Sequence, residues 1–200
     1  MAVVSLLIGA IAAVLLVLTR WQAVHLLPAE WFYRILGVHG MSMLIFFIIF
    51  YEMAVLIFAS TALINARIAA PRLGWAAFAL MLGGATLVEV IMWAGKADVL
   101  FTSYVPLKAD PLYYLGIILF AVGALIATLL FFAALVVAKR EKSYTGSMPL
   151  VSFGALTAAI IAVITLLHGA AIYIPTFLWS LGYMNVDPEV YRLMFWALGH

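Results

Sequence analysis

The chain has 200 residues, 68% hydrophobic and only 9% charged, with a formal net charge of +2. Soluble domains carry about 25% charged residues, so this composition excludes an ordinary soluble domain. The absence of cysteine also excludes disulfides, thiolate metal sites, iron–sulfur ligation and c-type haem attachment, and no run of Lys and Arg is long enough to suggest nucleic acid as a partner.

Mean hydropathy is +1.24, and the apolar stretches reach the ~20 residues needed to cross a bilayer. Residues 3–18 read as the first membrane helix, because the charged leader and small-residue cleavage site of a signal peptide are missing. Residues 19–34 form a connection with Arg20, His25, Pro28 and Glu30, in which Trp21 and Trp31 suit the interfacial aromatic belt. A second helix is expected over 35–64, followed by a tight polar turn at 65–72. The third covers 74–94, with Glu89 near its end, and a longer loop runs to Pro111. The fourth covers 112–138, and Lys139-Arg140-Glu141-Lys142 leads a polar loop to Pro149. The fifth covers 150–181, where Pro175 predicts a kink. After a last loop at 182–188, residues 190–200 open a sixth. The fold class is therefore all-α: one transmembrane helical bundle spanning 1–200, with five full helices plus the start of a sixth. The sequence shows no soluble domain, phosphate-binding glycine loop, hydrolytic triad or metalloprotease spacing of histidines.

Loop charge sets the orientation. Loops 65–72 and 139–149 hold Arg67, Arg72, Lys139, Arg140 and Lys142 against Glu141, whereas the longer loops balance their bases with as many acids. Basic density places the two short loops in the cytoplasm. His39 then starts an inward-running helix in the outer half of the membrane. His168 lies about 27 Å along an outward helix from Leu150, and His200 opens another inward one, so three imidazoles share similar depth on three helices. An ionisable group at that depth is costly unless it holds something. His39 is either a cofactor ligand, with Gly37 and Gly40 clearing room for a flat group, or an interhelical hydrogen-bonding residue.

Four stretches carry a resemblance to a known family. Val38-His39-Gly40 lies at the mouth of helix two, and Ala97-Asp98-Val99-Leu100-Phe101-Thr102-Ser103-Tyr104-Val105-Pro106-Leu107-Lys108 precedes helix four. Tyr113-Tyr114-Leu115-Gly116 follows in place, and Val186-Asp187-Pro188-Glu189-Val190-Tyr191-Arg192-Leu193-Met194-Phe195-Trp196-Ala197-Leu198-Gly199-His200 ends the sequence. In order and spacing the chain resembles the N-terminal part of subunit I of B-type haem–copper oxygen reductases, the cytochrome c and quinol oxidases, whose subunit I has twelve or more membrane helices. The resemblance implies that His39 is an axial ligand of the low-spin haem, of b or a type. It likewise implies that His200 is a ligand of the copper called CuB. The other histidines of these sites and the ligand of the high-spin haem would lie on later helices. The 200-residue chain is not expected to be active alone.

The same resemblance implies a respiratory terminal oxidase that reduces O2 to water and pumps protons, in a prokaryotic plasma membrane. Its partners would be the remaining helices of subunit I, subunit II, and an electron donor that is cytochrome c, a small copper protein or quinol. Imidazole is a good donor to both haem iron and copper. The family has no axial ligand on helix five, so His168 reads as a packing residue or a member of a proton path. Glu52, roughly 20 Å deeper than His39, reads as a proton relay or a buried hydrogen-bonded carboxyl. Glu89 is expected to pair with a base. Arg20 either approaches haem propionates or snorkels to the interface, and Phe46, Phe47, Phe50 and Met53 either pack or border a cofactor. Three alternatives stay open: a small b-type cytochrome using His39 and His168 as paired ligands for electron transfer, a structural or assembly membrane subunit with no cofactor, and a relative of the nitric oxide reductases.

Overall fold

In the computed structural model, which describes residues 1–197, the chain is a bundle of α-helices. They are α1 (Ala2–Arg20), α2 (Ala29–Gly40), α3 (Ile48–Thr61), α4 (Pro71–Trp93), α5 (Pro111–Glu141), α6 (Leu150–Ser180) and α7 (Pro188–Ala197). A π-helical segment, Met41–Phe47, joins α2 to α3, so the chain runs as one span over Ala29–Thr61. Among the described residues five spans are long and apolar enough to cross a membrane, and the shorter α7 follows them. This is the all-α, multi-pass architecture expected from the sequence.

Proline and aspartate set most of the starts. Pro71 and Pro111 occupy first-turn positions, where the missing N–H costs nothing and φ is already helical. The Asp110 side chain accepts from Leu112 N at 2.9 Å, and Asp187 accepts from Glu189 N and Val190 N, capping α7. The second span departs from expectation by starting at Ala29 rather than at residue 35. Pro28 stands before it, Glu30 lies in its first turn, and Glu30 pairs with Arg34 one turn on at 2.9 Å. The charges that suggest a loop instead extend the helix by more than a turn. Pro175 lies inside α6, which continues beyond it to Ser180.

Helix α5 is the hub, packed against α4, α3 and α6, while α1 leans on α2 and the π-helical segment. The α4–α5 crossing is close because both faces are small. A Cβ on Gly84 would lie 2.5 Å from the Gly116 carbonyl oxygen, and one on Gly123 would lie 2.6 Å from that of Ala77. Close backbone approach of this kind is how helices associate where lipid removes the hydrophobic drive. At the opposite end from the long loop, Ser152 donates to the Ala59 carbonyl at 2.7 Å and Ser143 to that of Ile64 at 2.6 Å. These bonds fasten α6 and the end of α5 to the end of α3. Phe46, Phe50 and Phe120 stack edge to face inside the bundle, so these aromatics are core.

Gly84→Val should force α4 and α5 apart. Overpacking costs roughly 1–3 kcal/mol, so the expected outcome is a lower melting temperature in detergent, read by circular dichroism, whereas an unchanged value would contradict the crossing.

Candidate functional site

His39 is half-buried near the end of α2, with its Nδ1 2.9 Å from the carbonyl oxygen of Gly9 in α1. A carbonyl can only accept, so Nδ1 carries the proton and donates. The other ring nitrogen, Nε2, is then the lone-pair nitrogen, with no hydrogen-bond partner among the described residues. A ring N–H held by a backbone carbonyl is the arrangement that orients a metal-ligating imidazole and raises its basicity. The donor set therefore fits a haem iron on the Nε2 side.

The neighbouring glycines do something other than expected. A Cβ on Gly37 would meet the Met92 side chain at 2.9 Å, and one on Gly40 would meet Phe101 at 3.0 Å. They make room for α4 and the following loop. Gly9 has a comparable role, since a Cβ there would run into the Met43 side chain. Ser42, fully buried in the π-helical segment, donates to Glu89 Oε1 at 2.6 Å, and Trp93 Nε1 donates to Glu89 Oε2 at 3.2 Å. Glu89 is thus held by a hydroxyl and an indole, not by the base expected from the sequence. Ser42, Gly9 and the π-helical segment escaped the sequence reading. The available signal was two polar residues, Ser42 and Glu89, at matching depth in separate apolar helices.

His168 stands apart from His39. Its Nδ1 lies 2.9 Å from the Ile164 carbonyl of its own helix. The ring lines an apolar cleft of about 440 Å³ that includes Met41, Leu44, Ile45 and Ile48. His39 is not among the residues lining that cleft: its ring bonds Gly9 in α1, whereas the His168 ring bonds within its own helix. Glu52 is half-exposed and makes no hydrogen bond among the described residues; it lines a groove of about 270 Å³ with Met53 and Ala162. Ile49, Thr165 and Leu166 border both this groove and the cleft at His168, so Glu52 and His168 lie along one depression between α3 and α6. Arg20 rests 6.0 Å from the centroid of Phe32 at the helix end.

The loop between α4 and α5 forms a tied-down cap. Asp110 N bonds the Lys96 carbonyl at 2.9 Å, closing the loop at its base. Tyr113, fully buried, bonds Ser103 at 2.8 Å and the Leu100 carbonyl at 3.2 Å. Tyr191 donates to the Thr102 carbonyl at 2.9 Å, and Trp196 donates to the Tyr104 hydroxyl. Arg192 stands over the Tyr104 ring and Lys108 over Trp179. Arg34, little exposed, stacks on Trp31, reaches Asp98 at 3.8 Å and fills the space beside Gly95, whose φ is +70°. The Tyr191, Arg192 and Trp196 contacts fix α7 to the cap. His200 itself lies outside the described residues. Among the described residues no three histidine or carboxylate side chains converge to hold a metal ion.

The family described as cytochrome c and quinol oxidase polypeptide I matches residues 1–200. Cytochrome c oxidase subunit 1 of Thermus thermophilus is 28% identical over 185 residues, covering 88% of this chain and 32% of that relative. A heme-copper terminal oxidase dimer solved by cryo-EM is similar with a TM-score of 0.84 and 25% identity, over 100% of this chain and 35% of that one. The chain thus spans about a third of the length of the relatives it matches.

Because the Tyr191 phenol ties α7 to the Thr102 carbonyl of the cap, Tyr191→Phe should cost about 1 kcal/mol. The expected readout is a lowered melting temperature with faster proteolytic cleavage near α7; wild-type behaviour in both would show that the Thr102 bond does not hold the helix.

Proposed function

The chain belongs to the cytochrome c and quinol oxidase polypeptide I family, and from that premise we propose that it is the N-terminal part of the catalytic subunit of a respiratory terminal oxidase that reduces O2 to water and moves protons outward. The observation that carries the reading is the His39 Nδ1–H bond to Gly9, which leaves Nε2 as a lone-pair donor at the mouth of the second span. In the complete subunit His39 would be one axial ligand of a low-spin haem, of b or a type. His200 would be one of the CuB ligands beside a high-spin haem. The metal centres, once bound, supply the electron transfer and the oxygen chemistry.

This chain's own residues do the rest. Gly9 holds the His39 ring in one tautomer, and Met92 and Phe101, packed on Gly37 and Gly40, keep that part of the helix in place. The cap over residues 94–110 holds α7 so that the sixth helix begins at a defined position. Glu52 and His168, on one depression between α3 and α6, are the residues we assign to proton movement through this part of the subunit. A carboxyl and an imidazole with a hydroxyl-bearing Thr165 along the same wall are groups that can accept and release a proton. Loops 65–72 and 139–149 face the cytoplasm of a prokaryotic plasma membrane, by their excess of Lys and Arg. The partners of this part are the remaining helices of subunit I, subunit II and an electron donor, which is cytochrome c, a small copper protein or quinol.

The test is a reduced-minus-oxidised optical spectrum with oxygen consumption, on the subunit completed by the remaining helices. His39→Ala should abolish the low-spin haem band and electron flow to O2, whereas His168→Ala should keep the band. A full haem spectrum from the 200-residue chain alone, lost in both His39→Ala and His168→Ala, would instead establish a self-contained cytochrome.

A further inference from the structure

Ser42 gives its hydroxyl to a carboxylate on another helix, whereas the buried threonines of the spans bond a carbonyl of their own. Thr19, Thr128 and Thr176 each turn back to the carbonyl four residues earlier in their own helix, at 2.7, 2.9 and 2.8 Å, the usual resting place of a helical hydroxyl. Ser42, with no exposed surface, reaches across to α4 and donates to Glu89 Oε1 at 2.6 Å. It does so from the second residue of the π-helical Met41–Phe47, a wider turn than the α-helix and one often found at functional sites. The bond crosses between helices in an apolar setting, where its loss leaves two polar groups without water.

The same turn abuts the residue that orients His39. A Cβ built on Gly9 would lie 3.4 Å from Ser42 Cβ and would run into the Met43 side chain. Ser42 and Met43 therefore pack on the residue whose carbonyl takes the His39 proton. On the far side Glu89 is fixed in turn, its second oxygen receiving Trp93 Nε1 at 3.2 Å. A continuous set of contacts thus runs from Trp93 through Glu89 and Ser42 to Gly9 and the imidazole.

We propose that Glu89 is a positioning residue for His39: through Ser42 it holds the π-helical turn against Gly9 and so sets the plane of the imidazole. The inference rests on the reading of His39 as a haem ligand. Glu89 touches neither the imidazole nor the haem in this account, so it acts only through geometry. The plane of an axial imidazole governs the electronic signature of a low-spin haem, and outer-shell partners are what fix that plane. The requirement placed on residue 89 is an acceptor for the Ser42 hydroxyl. Gln meets it through Oε1, and Ala does not.

The experiment uses the complete oxidase with its haems, in wild type, Glu89→Ala, Glu89→Gln, Ser42→Ala and His39→Ala. It reads the electron paramagnetic resonance g-values and the reduced absorption band of the low-spin haem, together with haem content. Glu89→Ala and Ser42→Ala are expected to shift the g-values and the band while haem content is retained, and Glu89→Gln to restore the wild-type signature. A wild-type signature in both Glu89→Ala and Ser42→Ala would overturn the inference, as would a Glu89→Gln signature shifted as far as that of Glu89→Ala. If Glu89→Ala fails to assemble, Ser42→Ala decides, because it removes only the donor and leaves Glu89 bonded to Trp93. The low-spin haem surviving in His39→Ala would instead overturn the underlying ligand reading, whatever Glu89 does.

Discussion

The hydrogen bond from His39 Nδ1 to the Gly9 carbonyl is the contact on which the functional account depends. It spends one ring nitrogen on the protein and leaves the other as a donor of fixed direction. It also explains two features that have no purpose in isolation. One is Gly9, which lets α1 approach a helix carrying Met43. The other is the π-helical segment beginning two residues beyond His39. In an apolar medium a backbone carbonyl already bonded within its own helix still has a second lone pair, so α1 can offer Gly9 to the imidazole without losing its helix.

Around that contact the bundle divides its labour. Close glycine packing between α4 and α5 gives a rigid centre. The serine bonds at one end and the tyrosine-lined cap at the other fasten the remaining spans to it. Polar side chains inside a membrane protein are expensive unless partnered, and three of the buried ones here are spent at joints: Ser152 on Ala59, Tyr191 on Thr102, Ser42 on Glu89. The large apolar faces of α1 and α6 stay uncovered, as befits a chain a third the length of its relatives.

Much of this was legible in the sequence. Apolar runs of membrane-spanning length mark the five spans, and proline with aspartate marks the starts of α5 and α7. His39, as the imidazole opening an apolar helix, stands out on cost alone. The start of the second span was not legible, because Glu30 and Arg34 read as loop charges until their one-turn pairing is seen. Gly37 and Gly40 suggested space for a flat group, yet Met92 and Phe101 fill it, since a glycine records only that something comes close. Equal depth grouped His168 with His39, but depth does not report which neighbours a side chain meets: His39 bonds Gly9 in α1 and His168 bonds within its own helix. The π-helical segment has no signature in residue spacing, and a bond such as Ser42 to Glu89 depends on which helices are neighbours.

The central claim, that Gly9 fixes the His39 ring as its Nδ1–H tautomer, is tested most directly by ¹⁵N solid-state NMR of histidine-labelled chain in lipid bilayers, with His39→Gln used to assign the resonances. The account predicts a protonated Nδ1 and an unprotonated Nε2 for His39 at neutral pH. A protonated Nε2 with a bare Nδ1 would contradict it, because the nitrogen meant for iron would then be the one already occupied.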